Sequence, residues 1–483
     1  MKNKQLKKIL AILCATLILT GCGASKTRET SREDFIPVIP YSETLSADEE
    51  KADALLKEMK QEADALYTFG TPYAVPEWSD DAYADTKLYS FCRMLPKGGD
   101  LHGHDDTMIS YTRFIDVIRD RAEICLEEGD QYGYMYAYDN PDKPEGCVPI
   151  GEALDNGTLT EEELTAFLTL AGKEDQRGWD VLHARFAATS GVHTNEEIYK
   201  DLYEETFRNC VDNGVILAEL RVLASPDDDV TVQRLTNIRE AYYRVRQDHP
   251  EFRVRVICTA SKNLKYDEDQ AGLILDTAIR ASSLVKDEFD PAKPEEFVIG
   301  LDLVSEEDTS RPLKEYTEYL TSEEVKNSGL KLFLHCGESL LNTNDTVIDA
   351  YTLGAVRAGH AFNLYRYPEL MEKYAEDKVA IEVCPISNYR LDYVSDLRLH
   401  PALSYLRNGI PVCICSDDGV YLSTEPLVDD FYAAILSWDL SIGDIKAICR
   451  NSITYSGLPK EETDELMKTW EAQWDEFIAD IAG

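Results

Sequence analysis

Basic residues are scarce in this chain of 483 residues, with 49 Lys and Arg against 90 Asp and Glu and a formal net charge of −41. A molecule this negative repels phosphate backbones, which excludes a nucleic-acid partner. A nucleotide would need local basic groups that the composition does not promise, whereas a small neutral ligand is not repelled. Long apolar runs are also missing. The run from Ile9 to Leu19 is 11 residues, about half of the roughly 20 that span a bilayer as a helix, and no other segment is longer and as apolar. The 12 cysteines form no Cys-x-x-Cys pair, so a cysteine-based structural zinc site has no support. Histidine is sparse too, with eight in the whole chain. What is plentiful is core material: 44% hydrophobic and 10% aromatic residues exclude global disorder.

The N-terminus has its own logic. Lys2, Lys4, Lys7 and Lys8 precede the short apolar run, and Leu19-Thr20-Gly21-Cys22 follows it. A basic stretch, a short apolar run and small residues describe a secretory signal. The last four residues resemble a bacterial lipobox, in which Cys22 becomes the lipidated first residue; the alternative is an ordinary signal peptide with an incidental cysteine. Two acyl chains would suffice for stable anchoring. The expected division is a lipoprotein signal over 1–21, a polar tether over 22–41, a helical region over 42–95 and one large domain over 96–483. The localisation that follows is a bacterial cell surface, extracytoplasmic, with membrane contact only through the lipid.

From Ser46 to Tyr67 apolar residues recur at helical spacing, and Ser46 with Glu49 forms a capping-box pattern. This helix could pack on the main domain or serve a dimer contact. After Pro96, short β-rich runs alternate with helical stretches such as Asn195 to Asn213 and Val230 to Gln247. Eight strands are expected: 98–104, 215–223, 253–260, 297–304, 331–337, 356–362, 379–385 and 411–416. Eight strands alternating with helices predict an α/β fold, a (β/α)8 TIM barrel. The interval between the first two strands far exceeds a βα unit, so an inserted subdomain is expected at about 107–178. It contains Cys125 and Cys147, whose spacing leaves open whether they form a disulfide. Cys258, Cys384, Cys413 and Cys415 lie in apolar runs and read as buried thiols.

Four short motifs end four of these strands. In Asp100-Leu101-His102-Gly103-His104, residues i and i+2 of a strand point to one side, so His102 and His104 converge as two imidazole ligands should. His335 closes the apolar run KLFLH and can be a third ligand, and Glu338 three residues on can reach the same space as a proton carrier. His360 ends another strand. Asp417 and Asp418 follow PVCIC; neighbours cannot point the same way, so one can bind a metal while the other faces a substrate. Each motif alone has a bland reading, as a core histidine or a solvated turn. Together they fall at C-terminal strand ends, where a (β/α)8 barrel carries its active site. His183, His193, His249 and His400 fall outside strand ends and read as structural or surface residues. Three imidazoles and a carboxylate suit one Zn2+ with an open position for water, whose pKa the metal lowers. The site therefore reads as hydrolytic.

The segments MLPKGGDLHGHDD, GLDLVSEED, LHCGES, RAGHAF, IEVCPISN and CSDD occur in the order and spacing of the adenosine deaminases, and the chain resembles that family from about Lys51 to Leu458. GWDVLHARFAATSGV and VSDLRLHP bring it nearer to the secreted adenosine deaminase growth factor subgroup. The resemblance implies that His102, His104, His335 and Asp417 hold the metal. It implies that Glu338 protonates the purine ring nitrogen beside C6, that His360 orients the attacking hydroxide and takes part in proton transfer, that Asp418 bonds N7, and that Asp105 contacts ribose. Adenosine or 2′-deoxyadenosine would give inosine or 2′-deoxyinosine and ammonia. It also implies a Cys125–Cys147 disulfide and a homodimer through the N-terminal helices. Three departures stand out: Ser305 where the family has a glycine whose backbone contacts the purine, Ala361 for a glycine and Gly419 for a proline. Ser305 motivates the alternative of another 6-substituted purine as substrate. A non-catalytic surface nucleoside-binding protein is the other alternative, though such a binder needs neither Glu338 nor His360.

Overall fold

A computed structural model of the protein describes residues 42–67, 81–125, 133–170, 178–263 and 268–483; the signal and tether expected over 1–41 lie outside them. Helix α1 (Ala47–Asp64) starts at Ser46, whose side chain and that of Glu49 cap each other's backbone amides. Its buried side includes Ala52, Leu56 and Ala63. Lys60 donates to Asp439 and to the Leu440 carbonyl, and Trp474 of the C-terminal helix Lys460–Ala482 donates to Glu49. The inward face of α1 is thus occupied by its own chain. Among the described residues no helix is long and apolar enough to cross a membrane.

Eight parallel strands carry the fold: β1 (Gly98–His104), β2 (Val215–Leu223), β3 (Arg253–Ser261), β4 (Val298–Val304), β5 (Lys331–Cys336), β6 (Arg357–His360), β7 (Ala380–Val383) and β8 (Val412–Ile414). They neighbour one another in sequence order. A bridge between Gly103 and Asp417 brings the last strand back to the first, through Asp417 N donating to the His102 carbonyl at 2.9 Å and His104 N donating to the Asp417 carbonyl at 3.3 Å. The ring is therefore joined by the segments that hold the strand-end motifs. Strands buried on both faces favour apolar runs, which makes most of their positions legible in the sequence, whereas β1 (GGDLHGH) and β6 (RAGH) are not apolar runs. Three end two residues earlier than expected from the sequence. His360 and Ala361 turn left-handed (φ 58° and 43°), Pro385 starts helix α3 (Pro385–Arg390), and Asp417 turns left-handed after β8 (φ 64°).

The chain between β1 and β2 builds a separate layer. Three antiparallel strands, Ala122–Cys125, Tyr134–Ala137 and Val148–Pro149, pack with helices on a core that includes Phe114, Ile124, Met135 and Leu164. Cys125 and Cys147 are disulfide-bonded within it. Helix α2 (Trp179–Thr189) shares this core through Leu182 and Ala188. The inserted layer therefore continues past residue 178, the boundary expected from sequence. It is tied to the barrel mouth where Leu170 N donates to the Tyr421 carbonyl and Trp179 donates to the Tyr393 hydroxyl. Cys258, Cys384, Cys413 and Cys415 are buried free thiols.

Candidate active site

The interior of the barrel is charged where such barrels usually carry branched apolar side chains. Glu219 and Arg221 from β2, Asp302 from β4, Arg357 from β6 and Glu382 from β7 are all buried. Arg221 donates to Asp302 at 2.9 Å, to Glu382 at 2.5 Å and to the Leu101 carbonyl at 2.8 Å. Arg357 donates to Glu382 at 2.7 Å and to Glu219 at 2.5 Å. Each carboxylate meets a guanidinium, so the cluster satisfies the rule that buried charge must be paired.

This cluster orients the imidazoles above it. Glu382 accepts from His102 Nδ1 at 2.7 Å, and Asp302 accepts from His335 Nδ1 at 2.6 Å. Both rings therefore carry their proton on Nδ1 and present a lone pair from Nε2, the arrangement that carboxylate partners impose on metal-binding histidines. His102 Nε2 is buried and has no hydrogen-bond partner. His102, His104 and His335 bring ligand atoms within 4.8 Å of one another, and Asp417 Oδ1 lies 3.3 Å from His104 Nε2. Burial pushes His102, His104, His335 and His360 well below the usual histidine range, which keeps them as the neutral ligands a metal requires. The orphaned lone pair, the neutral rings and the neighbouring carboxylate fit a divalent ion of the zinc class. Gly359 makes room for this cluster: a Cβ there would sit 3.1 Å from His102 Cε1 and 3.2 Å from the His335 Cα.

Glu338 follows β5 on the chain's path out of the barrel and is 2% exposed. Burial pushes its carboxyl well above the usual range, and the charges of Asp417 and Glu307 add to the effect while Lys262 opposes it. These surroundings favour its acid form. His360 stands beside it, with Nδ1 3.5 Å from Glu338 Oε1 and Nε2 3.9 Å from Asp417 Oδ2. Asp418 accepts from the Thr107 hydroxyl. Asp105 accepts from the hydroxyls of Tyr199, at 3.0 Å, and Tyr203. Ser305 shares a hydroxyl–hydroxyl bond of 2.7 Å with Ser261. Five non-glycine residues of this region hold positive φ: Asp105, Ser305, His360, Ala361 and Asp417. Such strain gathers at functional sites, where the surroundings enforce it. Ser305, at φ 141°, holds a backbone conformation that favours glycine. The third departure has a packing reason, since a Cβ on Gly419 would meet Pro426 Cγ at 2.7 Å and the Ile109 carbonyl at 2.9 Å.

His104, Asp105, Ser305, His335, Glu338, His360, Asp417 and Asp418 are among the residues that line one cavity of about 570 Å3. That is within the roughly 300–1,000 Å3 of small-molecule sites. Its outer wall comes from the inserted layer, where Trp179, Leu182, His183, Phe186, Thr189 and Ser190 form one face of α2 and its end. His193 lines it too. His183 and His193 therefore belong to the cavity, although they sit at no strand end. The signal for His183 was the helical spacing of 179, 182, 183 and 186, which marks a single face; His193 lies beyond the end of that helix and had no such signal. His400, read from sequence as structural or surface, is buried at 3% exposure. His249 is half-buried beside Glu251.

Comparison with known proteins places this geometry. The family model described as "Adenosine deaminase" matches residues 141–472. An adenosine deaminase of Phlebotomus duboscqi is 28% identical over 422 residues, covering 83% of this chain and 80% of that protein. Adenosine deaminase 2 of Homo sapiens is 26% identical over 428 residues, covering 82% and 81%. Adenosine deaminase 2 of Dictyostelium discoideum is 27% identical over 463 residues, covering 90% and 83%. Among solved structures, an adenine deaminase from Arthrobacter aurescens superposes with a TM-score of 0.57 at 18% identity, covering 79% of this chain and 100% of that one. An amidohydrolase from Burkhoderia ambifaria with bound Zn gives 0.60 at 17%, covering 86% and 100%. At these identities the structures are similar in fold.

Proposed function

The chain belongs to the adenosine deaminase family, and from that premise we propose that it hydrolyses adenosine and 2′-deoxyadenosine to inosine and 2′-deoxyinosine with release of ammonia. One observation carries the reading: the buried Glu338 carboxyl, whose surroundings favour its acid form, shares a cavity with His104 and His335, which bring ligand atoms within 4.8 Å of each other and of His102. Relatives at 26–28% identity over most of both chains carry the name adenosine deaminase, which supports the substrate. A pure nucleoside binder has no use for such an acid.

His102, His104, His335 and Asp417 would hold one zinc ion, and zinc there supplies Lewis acidity that brings the ionisation of a water toward neutral pH. The remaining work falls to side chains. Glu338 gives its proton to the ring nitrogen beside C6, which makes C6 electrophilic. His360 orients the attacking oxygen. Asp418, with one oxygen held by Thr107, fixes the ring at N7. Asp105, steadied by two tyrosine hydroxyls, meets the ribose. The wall formed by α2 excludes water from the reacting face.

Ser305 is the residue that sets the base preference. Ser305→Gly removes a hydroxyl from the cavity and relaxes the backbone. It is expected to change KM for adenosine by on the order of tenfold, with kcat within about threefold. Initial rates on adenosine, 2′-deoxyadenosine and a panel of other 6-substituted purines check this. Faster turnover of another 6-substituted purine by the unaltered protein would replace adenosine as the substrate.

The short apolar run and Leu19-Thr20-Gly21-Cys22 support lipid anchoring at a bacterial cell surface. A fatty-acid probe is expected to label the chain through Cys22; equal labelling of Cys22→Ala would remove the anchor. A homodimer through the N-terminal helices would use the outward face of α1, since the inward face packs on the C-terminal helix. Sedimentation would show it as a species of twice the chain mass, and a monomer at all concentrations would dismiss it.

A further inference from the structure

A line of polar contacts runs from His360 away from the cavity. His400 is 3% exposed, with its ring between Phe362 and Trp438 at centroid distances of 5.3 and 5.5 Å. Its Nδ1 accepts from the Ala402 amide at 3.1 Å. That leaves the proton on Nε2, which faces Asn388 Oδ1 at 3.0 Å. The oxygen of the Asn388 amide is thereby assigned, and its NH2 group must point the other way. It points at His360 Nδ1, 3.4 Å distant. Two donors do not face each other at that distance. His360 Nδ1 is therefore the acceptor, and its ring proton belongs on Nε2, the nitrogen turned toward Asp417 Oδ2 at 3.9 Å. Glu338 Oε1 lies 3.5 Å from Nδ1 but makes no hydrogen bond.

We propose that Asn388 and His400 are positioning residues that fix His360 as its Nε2–H tautomer, so that His360 meets the attacking oxygen as a hydrogen-bond donor. The role rests on the deaminase reading of the site. The tautomer itself does not, because it is set by contacts present before any substrate binds. A backbone amide fixes His400, His400 fixes the Asn388 amide, and Asn388 fixes His360. Each step removes an alternative that imidazoles and amides otherwise keep.

The zinc-loaded protein labelled with 15N-histidine gives the tautomer directly from two-bond 1H–15N correlations, with His360 assigned by its loss in His360→Gln. A protonated Nε2 and bare Nδ1 are expected; a protonated Nδ1 overturns the proposal whether or not adenosine is the substrate. Asn388→Asp places an acceptor where the donor stood. It is expected to move the proton to Nδ1 and lower kcat by on the order of 100-fold, with KM within about threefold. A moved proton with kcat within about threefold of the parent overturns the positioning role. His400→Phe keeps the ring packing but cannot donate, and should lose about tenfold in kcat. His400→Gln can still donate to Asn388 and should recover most of that loss; equal defects in both overturn the relay. If Asn388→Asp fails to fold, the parent spectrum and the His400 pair decide.

Discussion

Glu338→Gln is expected to lower kcat by on the order of a thousandfold while zinc content and melting temperature stay at the parent values. The magnitude follows from general acid catalysis, which contributes roughly 10²–10⁴-fold. The specificity follows from the side chain's surroundings. Glu338 is buried, and burial together with Asp417 and Glu307 holds its proton well above the usual carboxyl range. Glutamine has the same shape and is also neutral, so the swap introduces no new charge and opens no cavity. What it lacks is a transferable proton. The acid form is the active one, so the parent rate should fall as pH rises through the raised Glu338 value. That fall should be absent from the residual rate of the variant. Initial rates across pH, with zinc measured on the same samples, check both. A variant that keeps parental kcat would move the acid elsewhere in the cavity.

The second large effect lies beneath the site. Arg221→Met should cost about 3–5 kcal/mol of stability, because it leaves the buried Asp302 without its cation and takes one of two from Glu382. Asp302 and Glu382 each accept from Arg221 and each orient a metal-facing imidazole. Glu382 keeps Arg357 after the change, whereas Asp302 keeps the His335 ring and the amides of His335 and Leu303. Zinc affinity should fall by about 10–100-fold, as when the partners of ligating histidines are lost. Denaturant unfolding of the metal-free protein and chelator competition on the loaded protein separate the two losses. Parental zinc affinity in the variant would show that the imidazoles hold their orientation without the charged cluster.

These two predictions differ in how far the sequence reveals them. Glu338 is visible because it follows His335 at the end of an apolar run, and the strand-end histidines are visible for the same reason. Local spacing converts directly into a shared cavity when all strands are parallel and all end on one side. The cluster under the site has no such local signal. Arg221 meets partners 81 and 161 residues away, and its strand VILAELRVL reads simply as buried. Asn388 and His400 are hidden for a related reason, since their roles depend on which amide atom faces which ring nitrogen. The inserted layer falls between these cases. Its existence follows from the length of the gap between β1 and β2, and its extent does not. Helix α2 starts at the boundary expected at about residue 178, and only its share in the core with Phe114 and Met135 assigns it to the inserted layer. Its aromatic face was present in the sequence as a helical spacing, without a statement of what it covers.

Running the zinc-loaded protein on adenosine in water enriched in 18O tests the central claim most directly. The account predicts inosine with one 18O on the ring carbon that carried the amino group, and one ammonia released per inosine formed. Unchanged adenosine from folded, metal-replete protein, or adenine as the product, would contradict it.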